Sequence, residues 1–221
     1  MAFPDDDTGG FASPPCFMHE LQPGFQGAPV DGQTRSDVMQ WRKAERQRLI
    51  EARLAIPADT RSQMSHDIAG ALDRVIGEPA GRMASLYWPF RGEPDLRGWA
   101  DRFISRGGRA ALPVVVEKGQ PLIFRQWRPG DRLEKGVWNI PIPAEGEPVL
   151  PDIVISPVVG FDPQSYRLGY GGGFFDRTLA AMPSRPLVIG VGYSSAALAT
   201  IFPLPHDIPM DFIVTERGRA Q

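Results

Sequence analysis

Cysteine is nearly absent from this chain, and its one thiol, Cys16, has neither a partner for an internal disulfide nor companions for a thiolate zinc site. That usage fits a reducing compartment, so a cytoplasmic protein is expected. Long apolar runs are also missing, since none approaches the roughly 20 residues that cross a bilayer. The chain opens with Asp5, Asp6 and Asp7 instead of a basic region leading into an apolar one. A membrane span and a secretory signal are therefore not expected. Charge of one sign is lacking too: 24 Lys and Arg face 26 Asp and Glu, a formal net charge of −2. Without a basic field, nucleic acid is a poor candidate partner.

What is present is 221 residues, 42% hydrophobic and 23% charged, enough for one sizeable core. Wholesale disorder and collagen-like repetition are excluded. Residues 1–35 are rich in Gly, Pro and Asp without a lasting period and are expected to form an irregular extension. Within it Cys16, His19 and Glu20 lie close together, but they are too few for a closed metal site. Residues 36–221 are expected to form a single domain.

The pattern predicts a helix from a Ser36 cap to about Ala55, ahead of Pro57. Val38, Trp41, Leu49 and Ala52 make its apolar stripe, and Arg42, Arg46 and Arg53 fall within ~40° of one another at the edge. Those guanidinium groups form either a solvated basic face or the border of an anion site. A second helix is predicted from Ala58 or Asp59 to about Ile76, with Ile68, Leu72, Val75 and Ile76 inward and His66 at the surface. Strands are expected at Met83–Trp88, Ala110–Val116 and Asp152–Ser156, and extended segments at Pro121–Trp127 and Trp138–Ile142, the last two as an antiparallel pair. Helices are expected at Asp95–Ser105 and Gly173–Met182, and strands at Pro186–Tyr193 and around Ile213 and Val214. This alternation predicts a three-layer α/β/α domain with a mainly parallel sheet.

The densest chemical signal is the segment from Phe161 to Arg177, where Gly169, Gly171, Gly172 and Gly173 meet one loop-to-helix junction. Glycines there permit positive φ and close approach to a ligand, and amides at a helix N-terminus suit phosphate oxygens. No Gly-Lys-Ser/Thr follows, so Walker A fails, and about a dozen intervening residues weaken a dinucleotide fingerprint. Arg167 is either a phosphate ligand or the ion-pair partner of Asp176, and Asp176 is either a first-turn acid or a magnesium ligand. Asp162 either orients Arg167 or caps a turn. Near the C-terminus, His206 and Asp207 precede the last strand, and Asp207 offers a second carboxylate. Glu93 lies beyond the carboxyl end of the Met83–Trp88 strand among Tyr87, Trp88 and Phe90. A carboxylate beside stacking aromatics suits a pterin-like heterocycle; the alternative is an exposed loop acid.

The run Arg167-Leu168-Gly169-Tyr170-Gly171-Gly172-Gly173-Phe174-Phe175-Asp176-Arg177, preceded by Pro157 and Phe161-Asp162, resembles the signature of the 5-formyltetrahydrofolate cyclo-ligase family. The likeness extends over about residues 38 to 216, through Tyr87-Trp88-Pro89 and Leu112-Pro113 to His206-Asp207. It implies an ATP- and magnesium-dependent conversion of 5-formyltetrahydrofolate to 5,10-methenyltetrahydrofolate, with release of ADP and phosphate. It also implies a nucleotide-binding loop at Arg167 through Phe175, catalytic roles for Arg167 and Asp176, and magnesium ligands at Asp176 and Asp207. Trp88, Glu93, Tyr170 and Phe174 become folate contacts, and Arg42 and Arg46 become phosphate contacts. Arg42 takes the place of a family lysine, with Lys43 adjacent, and Gly172 stands where many members carry lysine. The chain is expected to act as a monomer or weak homo-oligomer. A relative that binds folate or nucleotide without turnover is the alternative.

Overall fold

The computed structural model describes residues 31–220. Cys16, His19 and Glu20, with the rest of the expected extension up to residue 30, lie outside the described residues. The first helix, α1 (Gly32–Ala55), starts earlier than Ser36, because Asp31 is the N-cap and its carboxylate accepts from the Thr34 amide at 2.8 Å. Residues 32–35, grouped with the extension by composition, form its first turn. Helix α2 (Ala58–Ile76) follows with the expected bounds, Ile68 and Leu72 fully buried and His66 exposed.

A central sheet is built from β1 (Met83–Ser85), β2 (Arg109–Val114), β3 (Ile123–Trp127), β6 (Pro148–Val149), β7 (Ile153–Pro157), β10 (Leu187–Val191), β11 (Phe212–Thr215) and β12 (Gly218–Ala220). Two small hairpins lie outside it, β4 (Leu133–Lys135) with β5 (Pro141–Pro143), and β8 (Gly160–Phe161) with β9 (Arg167–Leu168). Across the sheet the order is β12-β11-β10-β7-β1-β2-β3-β6, with the five strands from β11 to β2 parallel and the outer pairings antiparallel. Among the parallel strands the chain order reverses between β1 and β7. In open α/β sheets such a reversal leaves a crevice beyond the carboxyl ends of the two strands.

Successive side chains on a strand point to opposite faces, and the core divides accordingly. Ile153 and Ile155 of β7 join Ile68, Leu72, Trp99 and Phe103 on the face covered by α2 and α3 (Arg97–Ser105). Val154 joins Val188 and Ile213 on the other face, where Phe175 and Leu179 of α4 (Phe174–Ala181) pack. The three-layer α/β/α architecture with a mainly parallel sheet is thus observed. Helix α1 packs across the crevice end of the sheet, placing Leu49 with Val159, Leu168 and Ile201.

Several expectations need correction. Ala52 is exposed and Trp41 half-buried, while Arg42 and Arg53 are buried, so the basic edge of α1 faces inward more than its apolar stripe does. The pairing of Pro121–Trp127 with Trp138–Ile142 does not occur: β3 pairs with β2 and β6, β5 pairs with β4, and Trp138 sits in a short 3-10 turn with φ 56°. The long connection before α4 holds the β8–β9 hairpin. Among the described residues, no helix is long and apolar enough to cross a membrane.

Candidate active site

A cavity of about 200 Å³ opens in the crevice that the strand order creates, and every expected site residue lines it. Arg42 and Arg46 come from α1, Trp88 and Glu93 from the connection after β1, Arg167 through Asp176 from β9, the glycine loop and the start of α4, and Asp207 from the connection before β11. Apolar walls come from Pro113, Leu122, Ile140 and Ile142, with Trp138 at the β4–β5 tip.

The glycine loop is formed by two left-handed positions, Gly171 with φ 93° and Gly173 with φ 63°, the latter being the N-cap of α4. A Cβ at Gly171 would stand 3.3 Å from the Arg46 guanidinium, and one at Gly173 would stand 2.9 Å from that of Arg177. Arg46 Nε donates to the Gly169 carbonyl at 2.7 Å, and Arg177 donates to the Gly172 carbonyl. Burial and the adjacent Arg42 lower the pKa of Arg46, opposed by Asp207. Guanidinium groups and helix-terminal amides therefore surround one loop, the donor set that phosphate oxygens require. Asp162 makes no hydrogen bond or ion pair with Arg167, which pairs with Asp176 instead. The Asp162 carboxylate accepts from the Gln164, Tyr166 and Ile201 amides at 3.1, 3.0 and 3.2 Å, capping the hairpin turn and tying it to the chain at Ile201.

Asp176 Oδ2 accepts from Arg167 at 2.7 Å, and its Oδ1 accepts from the Ile208 amide at 3.2 Å. That amide neighbours Asp207, so the fold brings both carboxylates to one place. Asp207 accepts from Arg42 at 2.6 and 3.3 Å and from the Leu204 amide at 2.6 Å. Arg42 also donates to the Ile201 and Phe202 carbonyls at 2.9 and 2.8 Å. Four of its donor contacts are thus made inside the protein, which makes it a brace for Asp207; Lys43 is exposed. His206 lies on the rim, half exposed, 3.9 Å from Asp207. Among the described residues no three His, Cys, Asp or Glu side chains converge as a metal site. Two carboxylates nevertheless suit magnesium, which commonly takes one or two protein carboxylates and completes its shell with phosphate and water. Arg167 suits phosphate: it is buried, and its Nε has no hydrogen-bond partner. Burial lowers its pKa, with Asp176 and Asp207 opposing.

Glu93 is 7% exposed, which excludes the exposed loop acid. It ends a turn in which Arg91 and Gly92 both have positive φ, 47° and 75°, and its Oε2 accepts from the Phe90 amide at 2.9 Å. Its Oε1 accepts from the Tyr170 hydroxyl at 2.9 Å. Burial pushes its carboxyl up to about 7, opposed by Arg53, the Phe90 amide and Tyr170. Trp88 meets Trp127 edge-on at 6.1 Å and carries the Arg97 guanidinium 5.1 Å from its ring centre. Leu168 and Phe175 turn their side chains toward apolar clusters, and Arg167 stacks 5.1 Å from the centre of the Phe175 ring. Sequence reasoning gave Arg177 no role, and gave Arg53 only a place on the basic edge of α1, without its contact to Tyr170. Arg177 was visible in the signature, and Arg53 on the helical wheel beside Arg42 and Arg46.

The model of the 5-formyltetrahydrofolate cyclo-ligase family matches residues 38–216. The 5-formyltetrahydrofolate cyclo-ligase of Mycolicibacterium smegmatis is 30% identical over 180 residues, spanning 76% of this chain and 90% of that protein. The Escherichia coli K12 protein of that name is 30% identical over 179 residues, 75% of this chain and 94% of its own. The solution structure of Aquifex aeolicus 5,10-methenyltetrahydrofolate synthetase superposes with a TM-score of 0.70 at 27% identity, covering 81% of this chain and 92% of that one. Fold, cavity and these likenesses agree, and the chain belongs to the 5-formyltetrahydrofolate cyclo-ligase family.

Proposed function

We propose that the protein catalyses the ATP- and magnesium-dependent cyclisation of 5-formyltetrahydrofolate to 5,10-methenyltetrahydrofolate, with release of ADP and phosphate. One observation carries this reading beyond family membership: a phosphate-type glycine loop and a buried carboxylate among aromatic rings open onto the same cavity. Arg46, Arg167 and the amides from Gly169 through Phe175 hold the nucleotide phosphates. Asp176 and Asp207 hold magnesium, which when bound neutralises phosphate charge. Glu93 accepts from N–H groups of the pterin ring, and Trp88, Tyr170 and Phe174 enclose it.

In the reaction the formyl oxygen receives the phosphoryl group, which turns a poor leaving oxygen into a good one. N10 then bonds to the formyl carbon and loses its proton, and phosphate departs with the former formyl oxygen. The protein contributes positioning and charge stabilisation, in keeping with a cavity that, among the described residues, is lined by arginines and carboxylates and by no serine or cysteine. Arg167 and Arg42 keep both carboxylates oriented before substrates arrive, and the apolar walls keep water from the activated carbon. The test is absorbance-monitored formation of 5,10-methenyltetrahydrofolate by purified protein, with ATP and magnesium each omitted in turn. Turnover requiring both is expected. Turnover without ATP contradicts the reading, and absence of turnover with nucleotide still bound assigns the chain to non-catalytic binding relatives.

A further inference from the structure

Three remote parts of the chain meet at one phenolic oxygen. The Arg53 guanidinium of α1 donates to the Tyr170 hydroxyl at 2.6 Å, and that hydroxyl donates to Glu93 Oε1 at 2.9 Å. Arg53 Nε also donates to the Arg91 carbonyl at 2.9 Å, so one buried side chain holds both the turn that presents Glu93 and the residue that opens the glycine loop. The rings of Phe90 and Tyr170 close the same contact with centroids 6.0 Å apart. The Tyr193 hydroxyl donates to the Gly92 carbonyl at 3.2 Å and steadies the turn from its far side. Arg53 is absent from the cavity wall, so it acts through these neighbours.

We propose that Arg53 and Tyr170 form a positioning pair that couples the folate and nucleotide sites, so that occupancy of either site strengthens binding at the other. The inference rests on the cyclo-ligase reading and concerns residues outside the chemical step. A carboxylate offers about four acceptor positions. Tyr170 and the Phe90 amide engage two on Glu93, leaving two for N–H donors of a bound pterin. A ligand that fixes Glu93 therefore fixes Tyr170 as well, and with it the backbone entering Gly171 to Gly173. By linkage, a nucleotide that orders the loop favours the folate-ready turn by the same factor. The planar fork of Arg53 is suited to the task, since two separate donors reach Arg91 and Tyr170 from one rigid group.

The coupling is measured on the full chain by calorimetric titration with the magnesium complex of β,γ-imido-ATP, with and without saturating 5-formyltetrahydrofolate. The readout is the ratio of the two dissociation constants, which a merely structural defect leaves unchanged while weakening both. Wild type should show a ratio of about fivefold or more, the usual lower range of coupling between sites. Tyr170→Phe keeps the ring against Phe90 but removes the hydroxyl, and its ratio should fall toward one. Arg53→Lys keeps the charge but loses the fork, and should fall likewise. A Tyr170→Phe ratio equal to that of wild type overturns the proposal. So does a wild-type ratio of one with both ligands bound. Failure of either ligand to bind wild type would overturn the cyclo-ligase reading itself, and the coupling with it.

Discussion

Replacing Glu93 by glutamine should make the protein more stable at neutral pH and worse at holding folate. The Glu93 carboxyl is buried, which pushes its pKa up to about 7 from an ordinary 4.5. A carboxyl raised on folding supports stability below its unfolded pKa, and that contribution is lost as pH rises through the folded value. The gap between 4.5 and about 7, at ~1.36 kcal/mol per pH unit, sets the loss at roughly 3 kcal/mol between pH 4 and pH 8. Glutamine carries no charge at any pH and retains an acceptor for the Phe90 amide. Urea unfolding of both proteins should therefore show the stability difference shifting in favour of Glu93→Gln by about 3 kcal/mol from pH 4 to pH 8, or roughly 6–12 °C in Tm. Other titrating groups cancel in that difference. A pH-independent difference would refute the reasoning that the native chain keeps a costly ionised carboxylate there. In turnover, the variant should raise the KM for folate more than that for ATP; equal rises would contradict anchoring.

Three further outcomes follow from the site. Asp176→Asn should lower kcat at least ~100-fold while keeping a partner for Arg167, whereas Asp176→Ala leaves a buried guanidinium unpaired and should also destabilise by ~3 kcal/mol; normal turnover in the asparagine variant would remove Asp176 from the metal site. Arg46→Ala should weaken nucleotide binding by ~1.5–3 kcal/mol, tenfold or more in Kd, and unchanged titrations would leave Arg46 as a brace for the Gly169 carbonyl with no phosphate contact. Gly171→Ala and Gly218→Ala both place a Cβ at positive φ, 93° and 100°, but only the first meets a guanidinium. Each should lose ~1–2 kcal/mol of stability, and only Gly171→Ala should lose nucleotide affinity.

The sequence made the central strands and the glycine loop plain for different reasons. Ile153, Val154 and Ile155 form an unbroken apolar run because both faces of β7 are covered, and such runs read clearly. Strand ends read poorly. Met83 to Trp88 has the composition of one strand, yet only Met83–Ser85 forms one, paired with β2 throughout and with β7 at Ala84 and Ser85, before the chain turns toward Glu93. The two- and three-residue strands β4, β5, β6, β8 and β9 carry no period to detect. Glycine density revealed the loop, but a helical wheel shows only that Arg42, Arg46 and Arg53 share an edge. It cannot show that Arg42 braces an aspartate 165 positions away or that Arg53 meets a tyrosine 117 positions away. Those pairings depend on how the sheet folds α1 over the crevice.

The most direct test of the account follows one atom. 5-Formyltetrahydrofolate labelled with oxygen-18 at the formyl group is converted by the purified protein with ATP and magnesium, and the released phosphate is analysed by mass spectrometry. The account predicts one labelled oxygen in each phosphate formed with 5,10-methenyltetrahydrofolate. Unlabelled phosphate, with the label released to water or formate, would contradict it.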